Sequence, residues 1–294
     1  MVMGESVHIH DRIRALGTEF SVAQIQGSIA LFGPLQPPVD EAMVQRDLSY
    51  GPDPRHRLDL FGAASVAAKR PVLVFLHGGG FIGGDKGAPG APFYNNIGAW
   101  AAAQGWLGVT ATYRLAPAHP WPAGAEDVAR LVAWLKLEVA QHGGDPDRIV
   151  LMGQSAGAAH VASYVGGQDF AGGAATSIAG AIMLSGLYDV PSAARNPYQD
   201  AYFGTDPTRF AAQSSIDGLA ATSVPCLFTV SENDPADFQR QAALLVSRLV
   251  AARGKWPDFH WLEGHNHISP VHQIHSSVDE LGPVLARFVA RVTG

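Results

Sequence analysis

Apolar residues along this chain fall into two kinds of pattern. Short runs at 71–76, 107–113, 148–152, 181–185 and 224–230 are rich in Val, Leu, Ile, Met and Phe, with few polar interruptions. Such runs predict strands buried on both faces of a sheet, where the in–out alternation of a half-exposed strand is lost. Two further strands are predicted at 44–50 and 57–61, separated by the turn signal Gly51-Pro52-Asp53-Pro54, and a last one at 258–262. Between the runs, apolar residues recur every three or four positions. In 123–142 they are Val128, Leu131, Val132, Leu135 and Val139, all on one helical face. Helices are likewise predicted at 92–104, 158–165, 235–253 and 278–292. An amphipathic helix at 11–20 and an apolar stretch at 25–32 precede the sheet pattern and are expected to pack over it. The proline-punctuated stretch 189–223 is expected to be irregular. Strands alternating with helices at this spacing mean an α/β fold with a mostly parallel, doubly wound sheet of about eight strands. The first two strands have no helix between them, so that edge is expected to be antiparallel.

Composition narrows the class. Of 294 residues, 47% are hydrophobic and 16% charged, enough for a large core. The net charge is −6 with acids spread along the chain, and no basic patch suggests nucleic acid or an anionic membrane surface. The N-terminus carries charges and histidines without an apolar core of a signal, and no uninterrupted apolar stretch is long enough to span a bilayer. The single cysteine, Cys226, lies in an apolar run and excludes an intrachain disulfide. A cytoplasmic location is the expectation.

The candidate chemistry centres on residues 148–157. Here an apolar strand runs into Gly153-Gln154-Ser155-Ala156-Gly157, and helix-compatible residues follow. Strand, sharp turn and helix form the context in which G-x-S-x-G presents a nucleophilic serine, because a tight turn needs small neighbours on both sides of it. A serine hydroxyl needs a base, and the base needs an orienting carboxylate. In a parallel sheet these belong at the carboxyl ends of neighbouring strands. The loop 231–237 offers Asp234, with Glu232 and Asp237 as rivals and a helix N-cap as the plain structural use of Asp234. The loop 263–269 offers His265 and His267, which spacing alone does not separate. The third requirement is a set of N–H donors for the oxyanion. The His77-Gly78-Gly79-Gly80 loop follows a buried strand where that set is needed, and the N–H of Ala156 is the other donor.

Two other chemistries are weaker. Gly78, Gly80 and Gly83 match G-x-G-x-x-G, but the residues after them cannot form the required helix, and no acidic residue lies between Asp85 and Glu126. His265, His267, His272 and His275 have irregular spacing and no H-E-x-x-H, which argues against a metal. No cofactor is expected.

Taken in order, His77-Gly78-Gly79-Gly80-Phe81, Tyr113-Arg114-Leu115-Ala116-Pro117, Pro122 to Asp127, Asp145-Pro146-Asp147-Arg148-Ile149, Gly153-Gln154-Ser155-Ala156-Gly157, Glu232-Asn233-Asp234-Pro235 and Gly264-His265-Asn266-His267 resemble the α/β-hydrolase superfamily. Within it they are most similar to hormone-sensitive-lipase-like carboxylesterases. The resemblance covers roughly residues 70 to 290 and implies one α/β-hydrolase domain over 1–294. It implies Ser155, Asp234 and His267 as the triad, and Gly79, Gly80 and Ala156 as oxyanion donors. Gly78, Phe81 and Gln154 are then expected to border the substrate, and 1–40 with about 190–222 to form a small lid. Gln154 departs from the Asp, Glu or His usual in that position. The 264–269 segment looks more like kynurenine formamidases and feruloyl or acetylxylan esterases. The implied function is hydrolysis of small carboxylic esters through an acyl-enzyme, with rates falling at acid pH as the base protonates. The alternatives are an aryl formamidase and a non-catalytic ligand-binding protein on the same fold, as in gibberellin receptors. The expected partner is a small-molecule ester, and a homodimer through the terminal helix and last strand is left open.

Overall fold

A computed structural model of the protein describes residues 2–63, 69–167 and 178–294, with side chains from residue 8 onward. Its eight strands are β1 (Val44–Ser49), β2 (Arg57–Phe61), β3 (Arg70–Leu76), β4 (Leu107–Ala111), β5 (Gly144–Gln154), β6 (Gly180–Leu184), β7 (Cys226–Asn233) and β8 (Asp258–Asn266). They form one sheet in the order β1-β2-β4-β3-β5-β6-β7-β8. The pairs β1–β2 and β2–β4 are antiparallel, and all other pairs are parallel. The antiparallel edge therefore falls where the helix-free connection requires it. A two-strand turn reverses direction, whereas a parallel neighbour needs a crossover.

The runs that lack alternation in sequence do alternate in what they touch. Val72, Val74 and Leu76 of β3, with Ile149 and Leu151 of β5, face a core shared with Val128, Leu131, Val132 and Leu135 of α4 (Ala123–Glu138), Val161 of α5 (Ala156–Val165) and Leu245 of α9 (Ala236–Arg253). Leu73 and Phe75 of β3, with Val150 and Met152 of β5, face the opposite core. That one is completed by Ile97 and Trp100 of α3 (Asn95–Ala103) and by Leu285, Phe288 and Val289 of α11 (Gly282–Thr293). Each buried aliphatic or aromatic side chain stabilises the fold by about 1.5–3 kcal/mol relative to exposure, so the sandwiched strands hold the sheet rigid under the site.

The first helix, α1 (Val2–Ala15), starts and ends earlier than the predicted 11–20 segment. The apolar stretch after it is helix α2 (Val22–Phe32), started by Ser21, whose hydroxyl accepts the N–H of Gln24. Residues 189–223 are less irregular than expected. They contain three short helices: α6 (Pro197–Phe203), α7 (Phe210–Gln213) and α8 (Ile216–Ala221). The prolines that argued against order there partly start it, because Pro197 sits in the first turn of α6 behind its cap Asn196. A further helix, α10 (Ser269–Gln273), follows β8. Among the described residues, no helix is long and apolar enough to cross a membrane.

Candidate active site

Four adjacent parallel strands each deliver one polar residue just beyond or near their carboxyl ends. Ser155 follows β5, Ser185 follows β6, Asp234 follows β7 and His267 follows β8. Ser155 has φ 55 and ψ −117, off the favoured regions for a residue with a side chain. Two close backbone approaches hold it there. A Cβ on Gly153 would lie 2.4 Å from the carbonyl oxygen of Gly157, and one on Gly157 would lie 2.2 Å from that of Leu76. The Ser155 N–H donates to the carbonyl of Leu184 at 2.9 Å, which ties the turn to the next strand.

His267 Nδ1 lies 2.6 Å from Asp234 Oδ1, and His267 Nε2 lies 2.9 Å from Ser155 Oγ. A carboxylate accepts only, so Nδ1 carries the proton and Nε2 presents its lone pair to the serine O–H. The imidazole and the carboxylate are almost fully buried, at 1% and 3% exposure for their residues, so water screens the carboxylate charge poorly. Asp234 Oδ2 accepts from the Ser185 hydroxyl and from the Ser231 N–H, both at 2.7 Å. The His267 ring is flanked by Phe238 at 4.1 Å and Phe20 at 5.7 Å between centroids.

The rivals left by local spacing are elsewhere. Glu232 accepts from the Gly264 N–H at 2.6 Å, and that bond holds its carboxyl below the usual range; Arg14 adds a contact at 3.3 Å. Asp237 accepts from the Ala194 N–H. His265 Nδ1 meets Ser269 Oγ at 2.8 Å rather than Ser155.

Ser155 and His267 open on a cavity of about 440 Å³, within the size range of small-molecule sites. Gly80, Phe81 and Ala156 border it. Gly79 stands behind Gly80, with φ +129 and no room for a side chain, since a Cβ would lie 2.2 Å from the Gly83 oxygen. Gly78 and Gln154 do not line the cavity. The Gln154 side chain is buried at 2% exposure for the residue, its amide donates to the His267 carbonyl at 2.9 Å, and its oxygen fills the space that a Cβ on Gly78 would need. Gln154 therefore fixes the histidine loop from behind instead of lining the cavity. His77, at the start of the glycine loop, is also buried, with its pKa lowered to about 4 by desolvation, and it stacks on Tyr113 at 4.4 Å. None of the six tryptophans lines the cavity.

The remaining walls come from both N-terminal and mid-chain segments: Glu19 and Phe20, Leu187, residues 194–196, Tyr198 and Gln199, and the start of α9 through Phe238. Ser185, Phe20 and Phe238 carry no motif. Only Ser185 had a signal in sequence, since it ends the predicted strand between those leading to Ser155 and Asp234.

A serine at a strand–helix turn, with a carboxylate and a histidine at the ends of the following strands, is the arrangement expected of hydrolases among parallel α/β proteins. Residues 73–270 match the family described as the alpha/beta hydrolase fold, and the chain belongs to it. Among curated relatives, it is 31% identical over 204 residues to the esterase LipC of Mycobacterium tuberculosis, covering 62% of this chain and 49% of the relative. It is 28% identical over 249 residues to the probable carboxylic ester hydrolase LipM of the same organism, covering 81% and 52%. The chain thus spans about half the length of these relatives. Esterase B from Lactobacillus rhamnosis has the same fold, with a TM-score of 0.75 and 19% identity over 99% of this chain and 97% of that one.

Proposed function

We propose that the protein is a serine hydrolase of small carboxylic esters that works through an acyl-enzyme. The observation that carries this reading is the continuous path Ser155–His267–Asp234, with bonds of 2.9 and 2.6 Å, at the wall of an accessible cavity. Esterase names among the relatives point the same way.

In this mechanism His267 Nε2 takes the proton of Ser155 as Oγ attacks the ester carbonyl. Asp234 keeps Nδ1 protonated and stabilises the imidazolium that forms. The N–H groups of Gly79, Gly80 and Ala156 face the developing oxyanion, where fixed dipoles in a dry site act most strongly. The imidazolium then protonates the leaving alcohol. Water, deprotonated by the same histidine, attacks the acyl carbonyl and frees Ser155. The N-terminal segment and the stretch containing α6 act as a lid, a role supported by the cavity-lining positions of Phe20, residues 194–196, Tyr198 and Gln199.

The test is hydrolysis of p-nitrophenyl esters from acetate to decanoate by wild type and Ser155→Ala. Turnover is expected in wild type, with an optimum among short chains and a loss of about 10⁴-fold or more in the variant. Equal rates in the two proteins would refute the assignment of the nucleophile.

A further inference from the structure

The histidines at the end of β8 and after it have different surroundings. His267 meets Ser155, and His272 stacks on Phe93 at 4.0 Å and contacts the Ser28 hydroxyl. His265 instead meets two residues from distant parts of the chain: His10 in α1 and Glu280 just before α11. Glu280 Oε2 lies 3.1 Å from His10 Nε2 and 3.5 Å from His265 Nε2. One ligand atom from each of the three residues falls within 4.8 Å of the others. We propose that His10, His265 and Glu280 bind a single divalent transition-metal ion, Zn²⁺ by its ligand chemistry, which clamps α1 to the loop carrying His267.

The spacing fits the ion. Zinc bonds to imidazole nitrogen and carboxylate oxygen are about 2.0–2.2 Å, so tetrahedral neighbours lie roughly 3.3–3.6 Å apart. The 3.5 Å separation lies within that range and the 3.1 Å one just below it, while the His10 and His265 ligand atoms lie within 4.8 Å of each other, so binding would draw the side chains into tetrahedral spacing. Two imidazoles and one carboxylate are a donor set that suits Zn²⁺ and leaves Ca²⁺ or Mg²⁺, which prefer oxygen, poorly served.

The orientation of His265 is also that of a ligand. The Gln273 side-chain oxygen accepts the Glu280 N–H at 3.0 Å, so its amide nitrogen is the group 3.1 Å from His265 Nε2. An amide nitrogen donates, which places the lone pair on Nε2 and the proton on Nδ1. That proton is directed at Ser269 Oγ, 2.8 Å away. A ligating histidine commonly has its second nitrogen anchored in this way. The ion would replace the Gln273 donor on Nε2. The His265 side chain is 2% exposed while that of Glu280 is 37% exposed, so water has access to a fourth position from one side. His10 reaches the site because the backbone beneath it is bare. A Cβ on Gly264 would lie 2.4 Å from the His10 ring.

The consequence for the site is mechanical. The chain leaves α1 for Glu19 and Phe20, which wall the cavity, and Phe20 touches His267 edge-on. Arg14 and Glu232 already tether α1 at 3.3 Å. An ion on His10 would add a far stiffer link between that wall and β8.

The experiment is equilibrium dialysis of the full, tag-free chain against Zn²⁺, with Co²⁺ absorption as a geometric probe, for wild type, His10→Gln and Glu280→Gln. Far-UV circular dichroism establishes that each variant is folded. Wild type is expected to bind one ion per chain at low-micromolar free Zn²⁺ and to show tetrahedral Co²⁺ bands. Each variant should bind at least about tenfold more weakly and lose those bands. Wild type that takes up less than a full equivalent at that concentration would overturn the proposal. So would equal binding by all three proteins, which would locate the metal on other histidines.

Discussion

Replacing Ser185 by alanine removes a hydroxyl that touches neither the cavity nor the nucleophile, yet the proposed mechanism requires it to slow the chemical step. Its Oγ donates to Asp234 Oδ2 at 2.7 Å, and both residues are buried. Hydrogen bonds to a charged acceptor contribute about 1.5–3 kcal/mol. The Ser231 N–H stays on the same oxygen at 2.7 Å, so the loss belongs at the low end, about 1.5–2 kcal/mol. If Asp234 loses that much of its hold on the histidine in the transition state, kcat falls about 10–30-fold. KM should stay within about twofold, because Ser185 is not a cavity residue. Backbone strain is separable. Ser185 has φ 47, where a Cβ is unfavourable, so Ser185→Gly should lose kcat equally while unfolding at the same temperature as Ser185→Ala or higher. Steady-state kinetics on p-nitrophenyl butyrate and thermal melts of the three proteins decide the matter. An unchanged kcat in Ser185→Ala, or a loss confined to KM, would refute the idea that this hydroxyl positions the acid.

Three further outcomes are expected. Asp234→Asn should preserve the fold and lower kcat by about 10⁴-fold, since an amide no longer holds the productive tautomer of His267; a loss under tenfold would point to another acid. Gly153→Ala should reduce the melting temperature and activity together, because its Cβ would lie 2.4 Å from backbone that cannot move aside, and overpacking of this kind costs about 1–3 kcal/mol. Stability should also fall steeply in mild acid. Burial lowers the pKa of His77 to about 4 and those of His160 and His272 to about 3, from an ordinary value of 6.5. The unfolded chain then binds protons that the folded chain refuses, so stability is full above about pH 6.5 and declines below it, approaching about 4 kcal/mol per pH unit near pH 5. Urea unfolding between pH 4 and 7 measures this slope, and a flat profile would contradict it.

The order of strands and helices was legible because each predicted run is long enough to be sandwiched, and sandwiching removes polar residues from both faces. The elbow was legible for a local reason: a turn that brings Gly153 against Gly157 selects its own residues within five positions. Element ends were less legible. β8 runs on to Asn266 and β7 to Asn233, through polar residues that no hydrophobic pattern marks, because the ladder with the neighbouring strand continues there.

Local spacing left open which acid and which histidine meet; the family resemblance implied Asp234 and His267, and the tertiary structure shows why those two come together. Asp234, Glu232 and Asp237 are alike in sequence, and what separates them is the register of β7 against β8, which brings Asp234 to His267 and Glu232 to Gly264. The family resemblance put Gln154 beside the substrate. Strand alternation turns it to the opposite side, where it supports the His267 carbonyl. Ser185, Phe20 and the partners of His265 come from segments far apart in the chain. A contact between positions 10, 265 and 280 leaves no periodic trace. The sequence alone determined which stretches are buried and where a strained serine stands, since both are local demands on side-chain size and polarity. The pairing of charges and the walls of the cavity depend on how distant strands and helices are brought side by side, and that is a property of the whole chain.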